Sequence, residues 1–137
     1  MTLTLDTNMF ISSFFWGGNP RKIIERIIEG EDELYVADGI LDEVASVMAR
    51  PKFSVDKESI ERFIASIREV AYSVVLEGKV TNVCRDSDDD KILECALLAN
   101  ADYIITGDDD LLSLKEFEGI RIVTASEYLN LINLFIN

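Results

Sequence analysis

Short apolar runs alternate along the chain with stretches in which apolar residues recur every three or four positions. The runs are typical of buried strands, and the recurring spacing is typical of helices. Strands are predicted at residues 2–5, 34–36, 72–76, 103–105 and 120–123. Helices are predicted at residues 20–29, from a cap at 38 to a proline stop at 51, at 57–70, 88–100, around 111–114 and at 126–135.

Strands that alternate with helices predict a three-layer α/β sandwich, in which helices cover both faces of a central, mostly parallel sheet. No repeat, linker or low-complexity segment interrupts the series, so we expect one domain over residues 1–137. The composition, 48% apolar and 28% charged, is that of a globular protein. Such sheets bind ligands at the carboxyl ends of their strands, and this rule directs the search for functional residues.

The sequence gives no sign of a secretion signal or a membrane segment. The first 20 residues lack a basic start followed by an apolar run. The apolar stretch at 128–136 is interrupted by Asn130 and Asn133, and it is much shorter than the roughly 20 residues that cross a bilayer. We therefore expect a cytoplasmic protein with no membrane contact, in which Cys84 and Cys95 are reduced thiols.

The chain has no histidine, which removes serine–histidine and cysteine–histidine mechanisms and the usual zinc sites. Acid–base or metal chemistry must therefore use carboxylates. There are 26 acidic and 13 basic residues, and the net charge of −13 repels a nucleic acid at long range. A nucleic-acid substrate therefore requires divalent cations at a carboxylate cluster or basic residues beside it, and a basic partner protein would suit the remaining surface.

Two carboxylates lie where the sheet rule places a site. Asp6 directly follows the first predicted strand, and Asp108 follows the 103–105 strand after a Thr-Gly step. For Asp108 there is an alternative, in which it or one of the next two aspartates merely caps the following helix. Asp6 has no such helix-cap explanation in the predicted pattern.

Helical geometry selects two more carboxylates, because each residue advances about 100° around the helix axis. Glu43 lies on the flank of an apolar stripe, whereas its neighbour Asp42 faces solvent. In the helix that begins within the acidic run 86–90, Asp89 projects toward the middle of the inward face and Asp90 toward its edge. The alternative for this run is that it caps the helix and complements the helix dipole.

Asp6, Glu43, Asp89 and Asp108, termed here the four acids, would repel one another at neutral pH unless a divalent cation lay among them. An ionised carboxylate on a buried face is also costly unless it is paired or binds a metal. Oxygen ligands favour Mg²⁺ or Mn²⁺. Because such ions polarise phosphate groups and activate water, phosphodiester hydrolysis is the predicted reaction.

The chain resembles the PIN-domain family in two segments and in the intervening Glu43. The segments are LDTNMFISSFFWGG (residues 5–18) and DDDKILECALLANADYIITGDDDLL (residues 88–112). Within the family, the chain looks like the toxin components of type II toxin–antitoxin pairs. The resemblance implies an Mg²⁺- or Mn²⁺-dependent endoribonuclease acting on single-stranded or structured RNA. It also implies an antitoxin protein and a second copy of the chain as partners.

By position, the resemblance assigns the four acids to the catalytic and metal-binding site of the family. Asp90 adjoins the third position, and Asp110 could replace or assist Asp108. Asn8 and Thr106 match polar residues that support the site, and their alternative role is hydrogen bonding in turns and caps. The alternative for the whole chain is a PIN-like module that cleaves weakly or not at all and binds RNA or protein.

Aromatic and basic residues are candidates for contacts with RNA. Trp16, with Phe14 and Phe15, forms either a surface on which bases stack or part of the core, and core packing is the favoured interpretation. The candidates for phosphate contacts are Arg21, Lys22, Arg50, Lys52, Arg85 and Lys91. The C-terminal residues expected in the core or in a dimer contact are Leu131, Leu134 and Phe135.

Overall fold

The centre of the protein is a sheet of six strands, in which an antiparallel strand borders five parallel ones. The computed structural model describes residues 1–136 and the side chains of residues 1–134. The strands are β1 (Thr2–Leu5), β2 (Glu33–Val36), β3 (Ala71–Ser73), β4 (Tyr103–Ile105), β5 (Glu116–Phe117) and β6 (Ile120–Val123). Their spatial order is β3-β2-β1-β4-β6-β5.

The chain extends the sheet in opposite directions from β1. It first adds β2 and β3 on one side, and later adds β4 and β6 on the other. Leu3 in β1 is therefore in parallel register with both Leu34 of β2 and Tyr103 of β4. The crevice at the carboxyl ends of β1 and β4 is the topological switch point, where open α/β sheets bind ligands.

Helices flank this sheet, which confirms the predicted α/β sandwich. They are α1 (Thr7–Phe15), α2 (Gly18–Ile28), α3 (Asp38–Met48), α4 (Lys57–Val70), α5 (Ser87–Ala99), α6 (Asp109–Leu112) and α7 (Ala125–Ile136). A 3₁₀ turn covers Pro51–Phe53. Helix α5 packs against β1, β2 and β4, which carry the switch point. No helix in the described range is long and apolar enough to cross a membrane.

Three elements differ from the predictions made from periodicity. The pattern does not predict α1, because this helix lies between α2 and α3 and buries residues such as Met9 and Phe10 without forming one narrow apolar stripe. It does not predict β5, which has only two residues. The strand predicted at 72–76 is instead β3, which ends at Ser73, and Val75 beyond it is 82% exposed.

Polar residues at the helix ends set where several helices begin and stop. Asn100 ends α5 in the left-handed conformation, with φ at 55°, a conformation typical of helix C-termini. The Asp56 carboxylate caps α4 by accepting the Ser59 N–H at 3.2 Å. The prediction that Asp38 caps α3 is wrong, because Asp38 is the first helical residue and its carboxylate accepts from the Arg68 guanidinium at 2.7 Å.

The inner strands are buried on both faces, as parallel strands between helices must be. Leu3 and Leu5 of β1 and Ile104 of β4 are at most 1% exposed. Cys95 of α5 is buried with them, Cys84 is half-buried, and neither forms a disulfide. Burial raises the pKa of Cys95 to about 11, so it remains an unreactive thiol at neutral pH.

Glu94, also on α5, holds the segment that leads from the sheet into the site. Its buried carboxylate accepts backbone N–H groups from Glu77 at 2.6 Å, Gly78 at 3.1 Å and Val80 at 2.9 Å. Burial opposes the charge, yet the backbone donors outweigh it and hold the pKa of Glu94 below its ordinary value. Helical projection could not predict this role of Glu94, because its partners are backbone N–H groups of a loop.

Tyr128 on α7 is fully buried, and its hydroxyl donates to Asp32 at 2.7 Å. Asp32 also accepts from the Arg26 guanidinium at 2.9 Å, so the network ties α7 to the end of α2. We expect Tyr128→Phe to lower the free energy of unfolding by about 1 kcal/mol, the net value of one buried hydrogen bond. Urea denaturation measures this, with the exposed Tyr72→Phe as the control. Equal losses in both variants would contradict the role given to the Tyr128 hydroxyl.

Candidate active site

A cavity of about 190 Å³ opens at the switch point, and all four acids line it. We call it the acidic cavity. The sequence separates these residues by up to a hundred positions, but β1, α3, α5 and the β4–α6 turn bring their side chains to one place. The lining residues are Asp6, Thr7, Asn8, Glu43, Val47, Arg50, Asp86, Asp89 and Asp108.

Asp6 is the most buried of the four acids, at 5% exposure. It stands between the end of β1 and the start of α1, and its backbone N–H still bonds to Ile105 of β4 at 3.1 Å. Its carboxylate accepts the Thr106 hydroxyl at 2.8 Å. Burial raises the pKa of Asp6, the Thr106 hydrogen bond opposes the rise, and nearby Asp108 adds to it.

Thr106 connects two of the four acids. While its hydroxyl donates to Asp6, the same oxygen accepts the backbone N–H of Asp108 at 2.9 Å. Thr106 is fully buried, so this geometry is protected from water. Thr106 therefore makes a turn hydrogen bond and also donates to the Asp6 carboxylate.

Glu43 enters the cavity from the flank of α3, as helical projection placed it. Its carboxylate accepts the Thr7 hydroxyl at 2.9 Å. Burial raises the pKa of Glu43, the Thr7 hydrogen bond opposes the rise, and the charges of Asp88 and Asp6 add to it. The neighbouring Asp42 is exposed, which agrees with its predicted solvated position.

Asp89 and Asp90 point to different places, although they are adjacent on α5. Asp89 is half-buried in the acidic cavity. Burial, together with the charges of Asp108 and Asp6, raises its pKa to about 7. Asp90 is buried outside the acidic cavity, where its carboxylate accepts the Cys84 N–H at 2.8 Å. Asp90 therefore fastens the loop before α5, and Asp89 is the member of the pair that faces the other acids.

Asp108 has two roles, whereas Asp110 lies outside the acidic cavity. The Asp108 carboxylate caps α6 by accepting the Leu111 N–H at 3.1 Å, and it also lines the acidic cavity. The cap and the site were alternatives in the sequence, but a carboxylate has two oxygens and can serve both. Asp110 is exposed and lines only a neighbouring groove.

Sequence reasoning missed two residues of the cavity, Thr7 and Asp86, and named a third, Asn8, that also lines it. Thr7 gives no periodic signal, because the helix that carries it is not predicted. Asp86 caps α5 by accepting the Asp88 N–H at 2.9 Å and also lines the cavity, so the acidic run itself was its only sequence signal. Asn8 lies at the cavity wall and is exposed, but its side chain makes no hydrogen bond to the side chains and backbone described here.

The chemistry of the cavity fits a hard divalent cation. The donors are carboxylate oxygens, and within residues 1–134 no lysine or arginine forms an ion pair with any of the four acids. Burial first, and then the charges of neighbouring carboxylates, raise the pKa values of Asp6, Glu43 and Asp89. Among the same residues, however, no group of three acidic or thiol side chains is already spaced to hold a metal ion. The donor set suits Mg²⁺ or Mn²⁺, but the carboxylates are not fixed as a rigid cage.

A groove of about 610 Å³, which we call the aromatic groove, adjoins the acidic cavity. Trp16 lines it and is 71% exposed, so the favoured interpretation of Trp16 as a core residue is wrong. The physical reason is that α1 ends at Phe15 and Trp16 is its C-cap residue, so the side chain lies at the exposed end of the helix. Core packing does hold for its neighbours, since Phe14 packs edge-on against Phe63 at 5.0 Å and Phe15 stacks on Phe53 at 4.7 Å.

The candidate phosphate-binding residues separate into three groups. Arg50 lines both the acidic cavity and the aromatic groove, and Lys52 lines the groove. Arg21 donates to the Ser13 carbonyl at 3.0 Å and so caps the end of α1. Lys91 is paired with Asp88 at 3.0 Å. The remaining two, Lys22 and Arg85, are exposed outside both spaces.

The fold and the site define an α/β protein with a carboxylate cluster at the topological switch point of its sheet. The same fold is found in the crystal structure of VapBC2 from Rickettsia felis bound to a DNA fragment from their promoter. The TM-score is 0.65 at 12% identity, and the match covers 89% of this chain and 97% of the other.

The family profile described as "PIN domain" matches residues 2–110, and the chain belongs to the PIN-domain family. This match contains all four acids. A relative in Methanocaldococcus jannaschii, the uncharacterized protein MJ1680, is 34% identical over 119 residues, which are 83% of this chain and 75% of the relative. Members of the PIN-domain family are generally nucleases and typically use divalent metal ions.

Proposed function

We propose that this protein is an Mg²⁺- or Mn²⁺-dependent endoribonuclease that hydrolyses phosphodiester bonds in single-stranded RNA. The observation that carries the proposal is the convergence of the four acids in one cavity, where within residues 1–134 no lysine or arginine forms an ion pair with them. Membership of the PIN-domain family supports hydrolysis. The cavity is open to solvent beside a groove large enough for a nucleotide, which supports an extended, unpaired substrate.

The four acids would hold the divalent cation. When bound, the cation would neutralise the carboxylates, polarise the scissile phosphate and promote attack by water. Thr106 orients the Asp6 carboxylate, and Thr7 orients that of Glu43. Arg50, on the rim shared by the cavity and the groove, is placed to contact a phosphate next to the one that is cleaved.

Cleavage assays with and without metal test this proposal. We expect single-stranded RNA to be cut internally in Mg²⁺ or Mn²⁺, and we expect excess chelator to stop the reaction because the carboxylates alone cannot neutralise the phosphate. A duplex RNA and a single-stranded DNA of the same sequence define the substrate. Gel electrophoresis of end-labelled strands separates internal cuts from trimming of the ends.

The outcomes distinguish a nuclease from a binding module. Cleavage that persists in chelator would refute a metal-dependent mechanism. RNA that binds but remains intact with either metal, under conditions where the chain is folded, would favour the PIN-like binding module. Cleavage of single-stranded DNA but not of RNA would support hydrolase activity and would refute the assignment as a ribonuclease.

We further propose that the chain acts in the cytoplasm as the toxin of a toxin–antitoxin pair. The fold shared with VapBC2 supports an antitoxin partner, and the net charge of −13 suits a basic one. A neighbouring gene for a small basic or DNA-binding protein, whose product copurifies with this chain and inhibits cleavage, would support the pair. A stand-alone gene without such a neighbour would favour a general RNA-processing enzyme.

We also propose that the protein forms a homodimer. Leu134 on α7 is 77% exposed and Leu131 is partly buried, which leaves apolar surface near the C-terminus. The side chain of Phe135, the third residue considered for this contact, lies outside the described residues. Light scattering gives the mass in solution, and a monomer at micromolar concentration would contradict the dimer.

A further inference from the structure

We propose that Trp16 is a stacking platform for an unpaired base of the substrate, one nucleotide or more away from the scissile phosphate. This inference rests on the proposed function and adds a specificity-determining residue outside the acidic cavity. The ligand it requires is single-stranded RNA, whose bases can leave the strand and lie flat on an indole ring.

The exposure of Trp16 is unusual for its chemistry. Indole rings bury large apolar areas, and this one is 71% exposed at the wall of the aromatic groove. The ring has an aromatic neighbour, because Phe15 lies 5.5 Å from it with the ring planes tilted by 51°, and Phe15 itself stacks on Phe53 at 4.7 Å. Trp16 is therefore the exposed end of a row of three aromatic rings.

The backbone around Trp16 is held in place, so its exposure does not come from a loose loop. The Trp16 N–H bonds to the Ser12 carbonyl at 2.9 Å and continues the last turn of α1. The next residue, Gly17, has φ at 73°, a conformation that favours glycine and turns the chain sharply into α2. The Arg21 guanidinium lies against this turn, 3.2 Å from the position of a Gly17 Cβ, and donates to the Ser13 carbonyl.

Two basic side chains in the groove can contact a phosphate backbone. Arg50 and Lys52 both line the groove, and within residues 1–134 neither forms an ion pair. Asp108, Asp109 and Asp110 line the groove as well. Phosphates are therefore expected only beside Arg50 and Lys52.

The groove and the acidic cavity adjoin each other. They share Asn8, Val47, Arg50 and Asp108 as lining residues. A strand with one phosphate in the acidic cavity therefore runs past Arg50 into the aromatic groove. There its next bases meet Trp16, while the Arg50 and Lys52 side chains lie beside its phosphates.

Trp16 is the only tryptophan in the chain, so its fluorescence reports directly on stacking. The test titrates short oligouridine into the wild-type chain in chelator and into the Asp6→Asn chain in Mg²⁺, where the strand should stay intact. We expect saturable quenching of the fluorescence. An abasic strand of equal length and charge, which can make phosphate contacts but cannot stack, should leave most of the fluorescence unchanged.

Variants separate stacking from charge. We expect Trp16→Ala to raise the Kd of labelled oligouridine, measured by anisotropy, about tenfold, with kcat within about twofold and KM raised in parallel. Trp16→Phe should keep most of the affinity. Tyr72→Ala, which removes a 55% exposed aromatic ring far along the sheet, should have no effect. Lys52→Ala should reduce the slope of log Kd against log salt by about 0.7, as for one lost contact with a single strand.

Three results would each overturn the inference. The first is a fluorescence change that is equal for abasic and base-containing strands. The second is a Trp16→Ala chain whose Kd and KM are unchanged. The third is a loss of affinity in Tyr72→Ala as large as that in Trp16→Ala. The Trp16→Ala result counts only if this variant unfolds at the same temperature as the wild-type chain. If Trp16→Ala is less stable, the Kd of Trp16→Phe is used instead, and a Kd close to that of the wild-type chain is the expected result. Quenching without any cleavage would refute the proposed nuclease and retain the stacking platform. Cleavage without quenching or any effect of Trp16→Ala would refute the platform and retain the nuclease.

Discussion

The Asp6→Asn chain is expected to cleave single-stranded RNA about a thousandfold more slowly than the wild-type chain. Asp6 is the most buried of the four acids, so its charge acts where water screens least. The amide keeps the size of the side chain and an oxygen that can accept the Thr106 hydroxyl, but it loses the charge that would hold a cation. The loss should therefore appear in kcat/KM at saturating Mg²⁺, without unfolding.

Two neighbouring carboxylates provide a matched control for this prediction. Glu43→Gln removes a charge inside the acidic cavity, while Asp42→Asn removes one from the exposed face of the same helix. We expect Glu43→Gln to lower activity strongly and Asp42→Asn to leave it within about twofold. Circular dichroism and thermal unfolding establish that each chain is folded. Full activity in folded Asp6→Asn would remove Asp6 from the mechanism.

In chelator at pH 8, the Asp89→Asn chain is expected to be more stable than the wild-type chain by about 2 kcal/mol. The pKa of Asp89 rises from its ordinary value of 3.8 to about 7 in the folded chain, because of burial first and then of the charges of Asp108 and Asp6. If the whole pKa shift were converted into free energy of unfolding, the gain would be larger. Because the Asp89 side chain is partly exposed and solvent screens its charge, roughly half of that free energy is expected. Substitution by asparagine removes the penalty of ionising this carboxylate.

The same shift gives the direction of the pH dependence. Between about pH 4 and pH 7, folded Asp89 keeps a proton that the unfolded chain has released, so the metal-free wild-type chain loses stability as the pH rises. Below this window both states are protonated, and the penalty vanishes. Urea denaturation from pH 4 to pH 8 should show a steeper loss for the wild-type chain than for Asp89→Asn.

Metal addition supplies the second readout. Mg²⁺ or Mn²⁺ should raise the unfolding temperature of the wild-type chain more than that of Asp89→Asn, since the cation binds the folded carboxylates. Asp42→Asn should respond like the wild-type chain. Equal pH profiles in Asp89→Asn and the wild-type chain would show that Asp89 is not held at a raised pKa.

Most of the strands and helices could be predicted from the sequence, because burial of one side of an element produces a periodic pattern of apolar residues. The strand before Asp6 and the strand before Thr106 are almost fully buried, since parallel strands are covered on both faces. The angular position around the helix axis distinguished Glu43 from Asp42 on α3, and it placed Asp89 on the inward face of α5. Helix α1 could not be predicted in this way. Because α2 and α3 both contact it, its buried residues do not form one narrow apolar stripe.

What the sequence determined by itself was the alternation of elements, the carboxylate-only chemistry and the two strand ends at which a site could lie. Only the tertiary structure decided that Asp89 rather than Asp90 faces the other acids, since the choice depends on a hydrogen bond from Cys84 across a loop. It also decided that Trp16 lies in a groove, because exposure depends on what packs beyond the end of α1. A local pattern fixes which side of an element is apolar, but contacts between distant elements fix which polar groups meet.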